Sequence, residues 1–212
     1  MGLSTSRHVW TLAEVADVVG PAANLRNYLE QRDVRRCLAA AAALKPIQRA
    51  CDVGCGYGRL TMVLAEVAAE VVAFEREPAF VEEARRLLPA ITFQNLSSLT
   101  VLPAATGSFD FAMTFTVLQH LRDAEARIVL GEVKRVAQGG FVLLTEETDP
   151  SLADGAAADT DTGGLTRGRA ESIYVEWMKP FEQILRFRRE IEPGYARADV
   201  GTYMLFADPG AR

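Results

Sequence analysis

The residues Asp52-Val53-Gly54-Cys55-Gly56-Tyr57-Gly58 place three alternate glycines at the end of a short apolar run. Glycine lets a backbone approach a ligand closely, and a helix that follows directly presents N–H groups with no intrahelical partner. A dinucleotide site asks for glycines at the first, third and sixth places. Here the sixth place is Arg59. The spacing therefore suits a mononucleoside ligand without a diphosphate, and the Gly-Lys-Ser/Thr of a phosphate-gripping loop is missing too. Glu75 follows Gly54 by 21 residues, close to the roughly 20-residue offset at which a carboxylate accepts hydrogen bonds from both ribose hydroxyls. An acidic residue after a strand is ordinarily a solvated turn, and its pairing with the glycine turn favours the ribose reading.

Positioning those residues requires strands that end where the ligand binds. Val34, Leu38, Ala41 and Leu44 recur at helical spacing in the stretch from Tyr28 to Leu44, which Lys45-Pro46 ends. Arg49 to Val53 is strand-like, and from Arg59 the period is helical again, with Leu60, Val63, Leu64 and Val67 forming one stripe. Val71 to Glu75 is the second strand. Pro78 opens a helix with Val81, Ala84 and Leu88 inward, and Ile91 to Asn95 is the third strand. After the Gly107-Ser108 turn, Phe109 to Thr116 is the fourth strand, Asp123 caps a helix buried through Val129, Val133 and Val136, and Gly139-Gly140 precedes the fifth strand, Phe141 to Glu146. Strands alternating with helices predict a parallel sheet covered on both faces.

That alternation stops after Thr148. Asp149 to Arg169 is rich in Asp, Gly, Ala and Thr and reads as a long mobile loop of the kind that forms lids. A helix with Tyr174, Trp177 and Phe181 follows, then strand-like runs Ile184 to Ile191 and Thr202 to Ala207 around Pro193-Gly194, suited to an antiparallel hairpin. Trp177 and Phe181 read as core, and Arg186, Arg188 and Arg189 as a solvated edge that discourages strand pairing or, alternatively, as contacts for an anionic substrate.

The 212 residues, 49% hydrophobic, suffice for one large domain. Lys and Arg number 23 against 28 Asp and Glu, a net charge of −5 that argues against broad binding to nucleic-acid phosphates. Cys37, Cys51 and Cys55 read as reduced thiols in a cytoplasmic protein. His8 and His120, the only histidines, are too far apart to suggest a zinc site, and no metal is expected. No signal peptide or membrane-spanning run is apparent.

Taken together, the motifs over roughly Ala50 to Glu147 resemble the class I S-adenosylmethionine-dependent methyltransferases of the small-molecule type. The resemblance implies a Rossmann-like three-layer α/β sandwich, with a mostly parallel seven-stranded sheet ending in a C-terminal antiparallel hairpin. It implies S-adenosyl-L-methionine as cofactor and S-adenosyl-L-homocysteine as product. Asp52, Gly54, Cys55, Gly56 and Gly58 match the glycine motif under the methionine and ribose, Glu75 the ribose ligand, and Arg76 the residue beside the adenine. Where the family often has Gly-Asp-Ala after strand three, this chain has Gln94, Asn95 and Leu96, and the Asn95 amide oxygen takes over the bond to the adenine amino group. Phe109-Asp110 and Val117-Leu118-Gln119-His120-Leu121 resemble the Phe-Asp and Val-Leu-x-His-Leu patterns of that family, and Thr116 at the end of strand four joins the cofactor set.

Methyl transfer draws mainly on alignment and exclusion of water, so modest site residues suffice. Gln119 and Glu146 fall at the carboxyl edge of the sheet, where ligands bind in such folds. The imidazole of His120 suits removal of a proton from a hydroxyl or ammonium acceptor, against the plainer reading of a helix-start residue bonded to backbone. For Glu146 and Glu147 a salt-bridged strand end competes evenly with a substrate contact. The expected organisation is one domain over 1–212: an N-terminal helical cap at 1–45, with Arg7, His8, Trp10, Asn27 and Tyr28 over the cofactor; a cofactor-binding core at 46–148; and a lid loop, helix and terminal strands at 149–212. A small-molecule acceptor is expected, with neither nucleic acid nor membrane as partner and with monomer and homodimer both open. The competing readings are a protein or RNA methyltransferase and a non-catalytic cofactor-binding partner subunit.

Overall fold

Strands apolar on both faces are stable only between two layers of helix. The computed structural model, which describes residues 23–150, 166–188 and 201–211, has that arrangement. Its strands are β1 (Arg49–Val53), β2 (Glu70–Glu75), β3 (Thr92–Asn95), β4 (Phe111–Phe115), β5 (Phe141–Glu146), β6 (Glu182–Arg188) and β7 (Thr202–Ala207). They form one seven-stranded sheet in the order β3-β2-β1-β4-β5-β7-β6. The first five in that order run parallel, and β7 lies antiparallel between β5 and β6, as expected of the C-terminal runs. The helices are α1 (Ala23–Ala42), α2 (Thr61–Leu64), α3 (Pro78–Leu87), α4 (Asp123–Val136) and α5 (Glu171–Met178).

Side-chain alternation along the strands divides the core in two. Ala50, Phe111, Met113, Phe141, Leu143 and Leu205 meet Val34, Leu38 and Ala41 of α1 and Val63 and Leu64 of α2 on one face, where α3 also packs through Val81 and Ala84 against Ala73. Cys51, Val53, Ala112, Val142, Leu144 and Met204 meet Val129, Val133 and Val136 of α4 and Tyr174 and Met178 of α5 on the other. Tyr174 is fully buried and Trp177 packs on this second cluster with the buried Phe181, so these aromatics are core.

Three local expectations change. The helix from Arg59 is a single turn, and Val67 is exposed, because β2 already begins at Glu70 in register with Arg49. Leu44 is exposed as well, since α1 ends at Ala42. Asp123 makes no cap: it is the first residue of α4, and its carboxylate accepts instead from Arg169 Nε at 2.9 Å. Arg7, His8, Trp10, Arg189, Pro193 and Gly194 lie outside the described residues, as does most of the expected lid, 151–165.

The edge opposite the strand carboxyl ends is tied by Asp110, whose Oδ2 accepts from the N–H groups of Gln48 at 3.0 Å and Arg49 at 3.1 Å while Oδ1 pairs with Lys45 at 3.2 Å. Its carbonyl lies against Gly140, where an added Cβ would approach within 2.4 Å. Backbone cannot yield as a side-chain tip can. Gly140→Ala is therefore expected to destabilise the domain by about 2 kcal/mol or more in urea unfolding, in the range of overpacked cores. An unchanged midpoint would contradict that packing.

Candidate active site

The described candidates from Asp52 to Glu146 lie at or just beyond one edge, formed by the carboxyl ends of β3, β2, β1, β4 and β5. Chain order reverses between β1 and β4, and the crevice at such a reversal is where ligands bind in open parallel sheets. The glycine turn leaves β1 on one side of it, and Thr116 to Leu121 leaves β4 on the other.

Gly54, Gly56 and Gly58 all have positive φ, at 80°, 56° and 86°. Each has a separate use. An added Cβ at Gly54 would lie 2.5 Å from Val117 Cγ2, so the two strand ends touch there only because a hydrogen replaces a side chain. At Gly58 the Cβ would meet Leu88 and Phe93, at 2.9 and 3.0 Å. At Gly56 nothing lies within 4 Å, which leaves backbone facing open space as a ligand cradle requires. Because α2 is only one turn long, the cradle owes little to a helix dipole.

The turn is braced by two carboxylates. Asp52 is buried beneath it and accepts from Thr61 Oγ1 at 2.6 Å, joining β1 to α2. Glu75, 7% exposed, accepts from Gly56 N at 2.8 Å through Oε2, and from Arg76 N at 2.6 Å and Glu77 N at 2.8 Å through Oε1. A carboxylate has about four lone-pair sites, so Glu75 retains capacity for a further donor after these three. Asn95 stands in register with Glu75 and donates its Nδ2 to the carbonyls of Glu75 at 3.1 Å and Arg76 at 2.9 Å. Those bonds orient its amide through Nδ2. Arg76 pairs with Glu77 at 2.8 Å, Leu96 packs partly buried against the core, and Cys55 donates its thiol to Gly56 O at 3.4 Å. Burial pushes the Cys55 thiol well above its ordinary range.

Arg59, the residue in place of a third glycine, anchors α1. Its Nη1 donates to Asn27 Oδ1 at 3.0 Å and to Glu30, and the guanidinium lies 5.6 Å over the Phe115 ring. Of the expected cap residues that are described, Asn27 thus supports the glycine turn from α1, whereas Tyr28 is exposed.

On the β4 side, Thr116 takes a positive φ of 54° and donates its N–H to Thr145 O at 2.7 Å. A 3-10 turn, Leu118–His120, follows. Glu146 corrects an expectation. It is completely buried, its Oε1 accepting from Val117 N, Leu118 N and Thr114 Oγ1 at 3.3, 3.1 and 3.2 Å and its Oε2 from Gln119 N at 3.0 Å. It holds the turn and has no surface for a substrate. Gln119 is nearly buried and accepts from Glu147 N at 2.9 Å, while His120, partly exposed, donates its backbone N–H to Val117 O at 3.1 Å. Glu147 pairs with Arg188 at 3.6 Å, and Arg186 pairs with Glu171 at 2.9 Å.

One residue had no signal in the sequence. Arg169 emerges from the Gly- and Asp-rich segment, is 4% exposed, and donates to Leu118 O at 2.8 Å and Leu121 O at 2.6 Å as well as to Asp123. Arg167 N also donates to Gln119 O at 2.8 Å, so the end of the expected loop is packed onto the site.

The model of one protein family, described as a methyltransferase domain, matches residues 50–140. The cofactor-binding core of this chain is therefore similar to methyltransferase domains. The match runs from β1 to the end of the α4–β5 turn and so contains the glycine turn, Glu75, Asn95 and His120. An uncharacterized methyltransferase of Synechocystis is 32% identical over 111 residues, covering 51% of each chain. The ubiquinone biosynthesis O-methyltransferase of Xanthomonas oryzae is 27% identical over 139 residues, covering 63% of this chain and 58% of that one. The chain thus spans about half the length of these curated relatives. Among solved structures, magnesium protoporphyrin IX methyltransferase of Synechocystis with bound S-adenosylmethionine aligns at TM-score 0.67 and 16% identity over 95% of this chain and 86% of that one. The N-methyltransferase NodS of Bradyrhizobium japonicum with S-adenosyl-L-homocysteine aligns at 0.65 and 17% over 89% and 88%. These likenesses support the methyltransferase fold.

Burial pushes the Asp52 carboxyl up to about 7, reinforced by Glu75 and opposed by the Thr61 hydroxyl and Arg59. Its folded pKa exceeds its ordinary 3.8, so the stability it contributes is complete below that value and is lost as pH rises through about 7. Asp52→Asn, which keeps an acceptor for Thr61, is expected to gain stability relative to the parent chain as pH rises from about 5 to about 8. The gain should be about 1.4 kcal/mol for each pH unit between the lower end of that range and about 7, where Asp52 ionises in the folded chain. Urea unfolding at the two ends of that range measures it, and a difference independent of pH would count against a buried, late-ionising Asp52.

Proposed function

We propose that this chain transfers the methyl group of S-adenosyl-L-methionine to an oxygen or nitrogen of a small-molecule acceptor. The observation that carries the reading is the Glu75 bridge: one buried carboxylate bonded to both the glycine turn and the turn after β2, with acceptor capacity left for ribose hydroxyls. The open approach at Gly56 fits the nucleoside beside it. Asp52, Gly54, Cys55 and Gly58 shape that cradle, Asn95 Oδ1 is the acceptor for the adenine amino group, and Arg76, Leu96 and Thr116 border it.

When bound, the cofactor supplies a sulfonium methyl group, and in-line displacement forms the new O–CH3 or N–CH3 bond as the S–CH3 bond breaks and its electron pair returns to sulfur. Because positive charge on sulfur is consumed, the protein's contribution is chiefly alignment and exclusion of water. His120 takes the proton released by the acceptor, an imidazole being the side chain with an ordinary pKa nearest neutrality. Gln119, tied to Glu147 N, holds the acceptor side of the turn in register with β5. The net charge of −5 favours a small acceptor over nucleic acid. The named O-methyltransferase and N-methyltransferase relatives support the same class. A cytoplasmic setting accords with the three free cysteines. No helix among the described residues is long and apolar enough to cross a membrane.

Ligand-induced stabilisation tests the reading. S-adenosyl-L-homocysteine at a hundredfold excess over its Kd should add about 2.7 kcal/mol to stability and raise Tm by several degrees. Glu75→Ala and the milder Glu75→Gln should melt cooperatively without that shift. No shift in the parent chain over a wide ligand range would overturn the cofactor assignment.

A further inference from the structure

The 3-10 turn after β4 is only three residues long, and its own backbone bonds are few: His120 N to Val117 O and Leu121 N to Leu118 O, both at 3.1 Å. Three-residue 3-10 turns have poor hydrogen-bond geometry and hold their shape through their surroundings. Here the surroundings are two buried ionisable residues of opposite polarity. Glu146 takes the N–H groups of Val117, Leu118 and Gln119, and Arg169 takes the carbonyls of Leu118 and Leu121. Asp123 accepts from the guanidinium Nε, the Tyr174 hydroxyl at 3.4 Å shares Nη1 with Leu118 O, and the Trp177 ring lies 5.5 Å from the guanidinium carbon.

We infer that Glu146 and Arg169 are positioning residues: together they clamp residues 117–121 so that Val117 seats the glycine turn and Gln119 and His120 stay at the carboxyl edge. Two arguments favour this over simple stabilisation. Taking charges out of water costs several kcal/mol each, and well-packed apolar residues of similar volume often fold as stably. Two buried ionisable groups that bond the backbone of one turn are therefore poorly explained by stability alone and are suited to specifying one backbone geometry. The clamped segment also contacts the cofactor side directly, since Val117 fills the space that a side chain on Gly54 would need. A lost bond at Arg169 would thus reach the glycine turn through one packed residue. The role assigned to the turn rests on the methyltransferase reading, whereas the clamp is a property of this fold alone.

The test uses the full chain with residue-resolved amide hydrogen exchange by NMR and calorimetric binding of S-adenosyl-L-homocysteine. Arg169→Met removes every donor. Arg169→Lys keeps the charge but not the planar fork that reaches two carbonyls and a carboxylate. Glu146→Gln leaves the volume unchanged but turns an amide group toward one of the donors that the carboxylate accepts. All three should raise exchange at Val117 to Leu121 at least tenfold and weaken cofactor-product binding at least fivefold, with Ala50 to Val53 still protected. Lysine should not rescue the fork. Arg135→Met is the control, because Arg135 also grips two carbonyls, those of Leu102 and Ala104, away from the site. It should lower Tm without changing exchange at 117–121.

Exchange that rises evenly over the whole domain, or that Arg169→Lys restores to the parent level, would overturn the clamp. If the parent chain fails to bind S-adenosyl-L-homocysteine, the functional reading falls, and exchange at 117–121 still decides whether the clamp exists.

Discussion

The contact between Gly54 and Val117 is the constraint on which the site depends. It lies where β1 and β4 part, and parallel neighbours whose connections diverge open a crevice only if the first residues beyond each strand can pass one another. With 2.5 Å between an imagined Cβ and the valine methyl, only glycine permits that passage. The positive φ at Gly54 then turns the chain away from the sheet toward Gly56, and the same positive φ at Thr116 turns the β4 exit in its own direction. Each non-glycine residue in that region stores strain that its neighbours must hold, and the N–H of Thr116 on Thr145 O is one such hold.

Around that crevice the protein places carboxylates at or near the ends of three of its parallel strands. Asp52 is the last residue but one of β1, Glu75 closes β2 and Glu146 closes β5, and the principal partners of all three are backbone N–H groups or hydroxyls of the chain. Turns at the carboxyl edge leave N–H groups that no strand ladder satisfies, and a buried orphan donor is costly. A carboxylate satisfies several at once. Burial opposes ionisation at Asp52 and Glu146, both pushed up to about 7, so these acids trade stability near neutral pH for defined loops. Glu75 differs in geometry: its three bonds come from two separate turns, so one carboxylate joins the glycine turn to the turn after β2.

Arginine does the complementary work. Arg59 ties the glycine turn to α1, and Arg169 ties the β4 turn to the segment that returns toward α5. Both span elements distant in sequence, and both occupy positions where local pattern suggested something else, a missing glycine in one case and a mobile loop in the other.

The sheet and its helices were legible in the sequence because burial imposes periodicity: β5 was expected and found at Phe141–Glu146, and Val129, Val133 and Val136 face the core as their spacing required. The glycine turn and the placement of Glu75 beside it were legible as well, since both depend on short-range spacing along one strand–turn–strand path. The length of α2 was not, because it is limited by where β2 must begin to pair with β1, a sheet-level requirement. Nor was the choice of Asp123 to bond Arg169 rather than cap its own helix, nor the full burial of Glu146. Residue type and spacing determined which groups reach the carboxyl edge. Only the tertiary structure decided which of them face the crevice and which are spent holding it open, because that depends on backbone donors and acceptors from segments far apart in the chain.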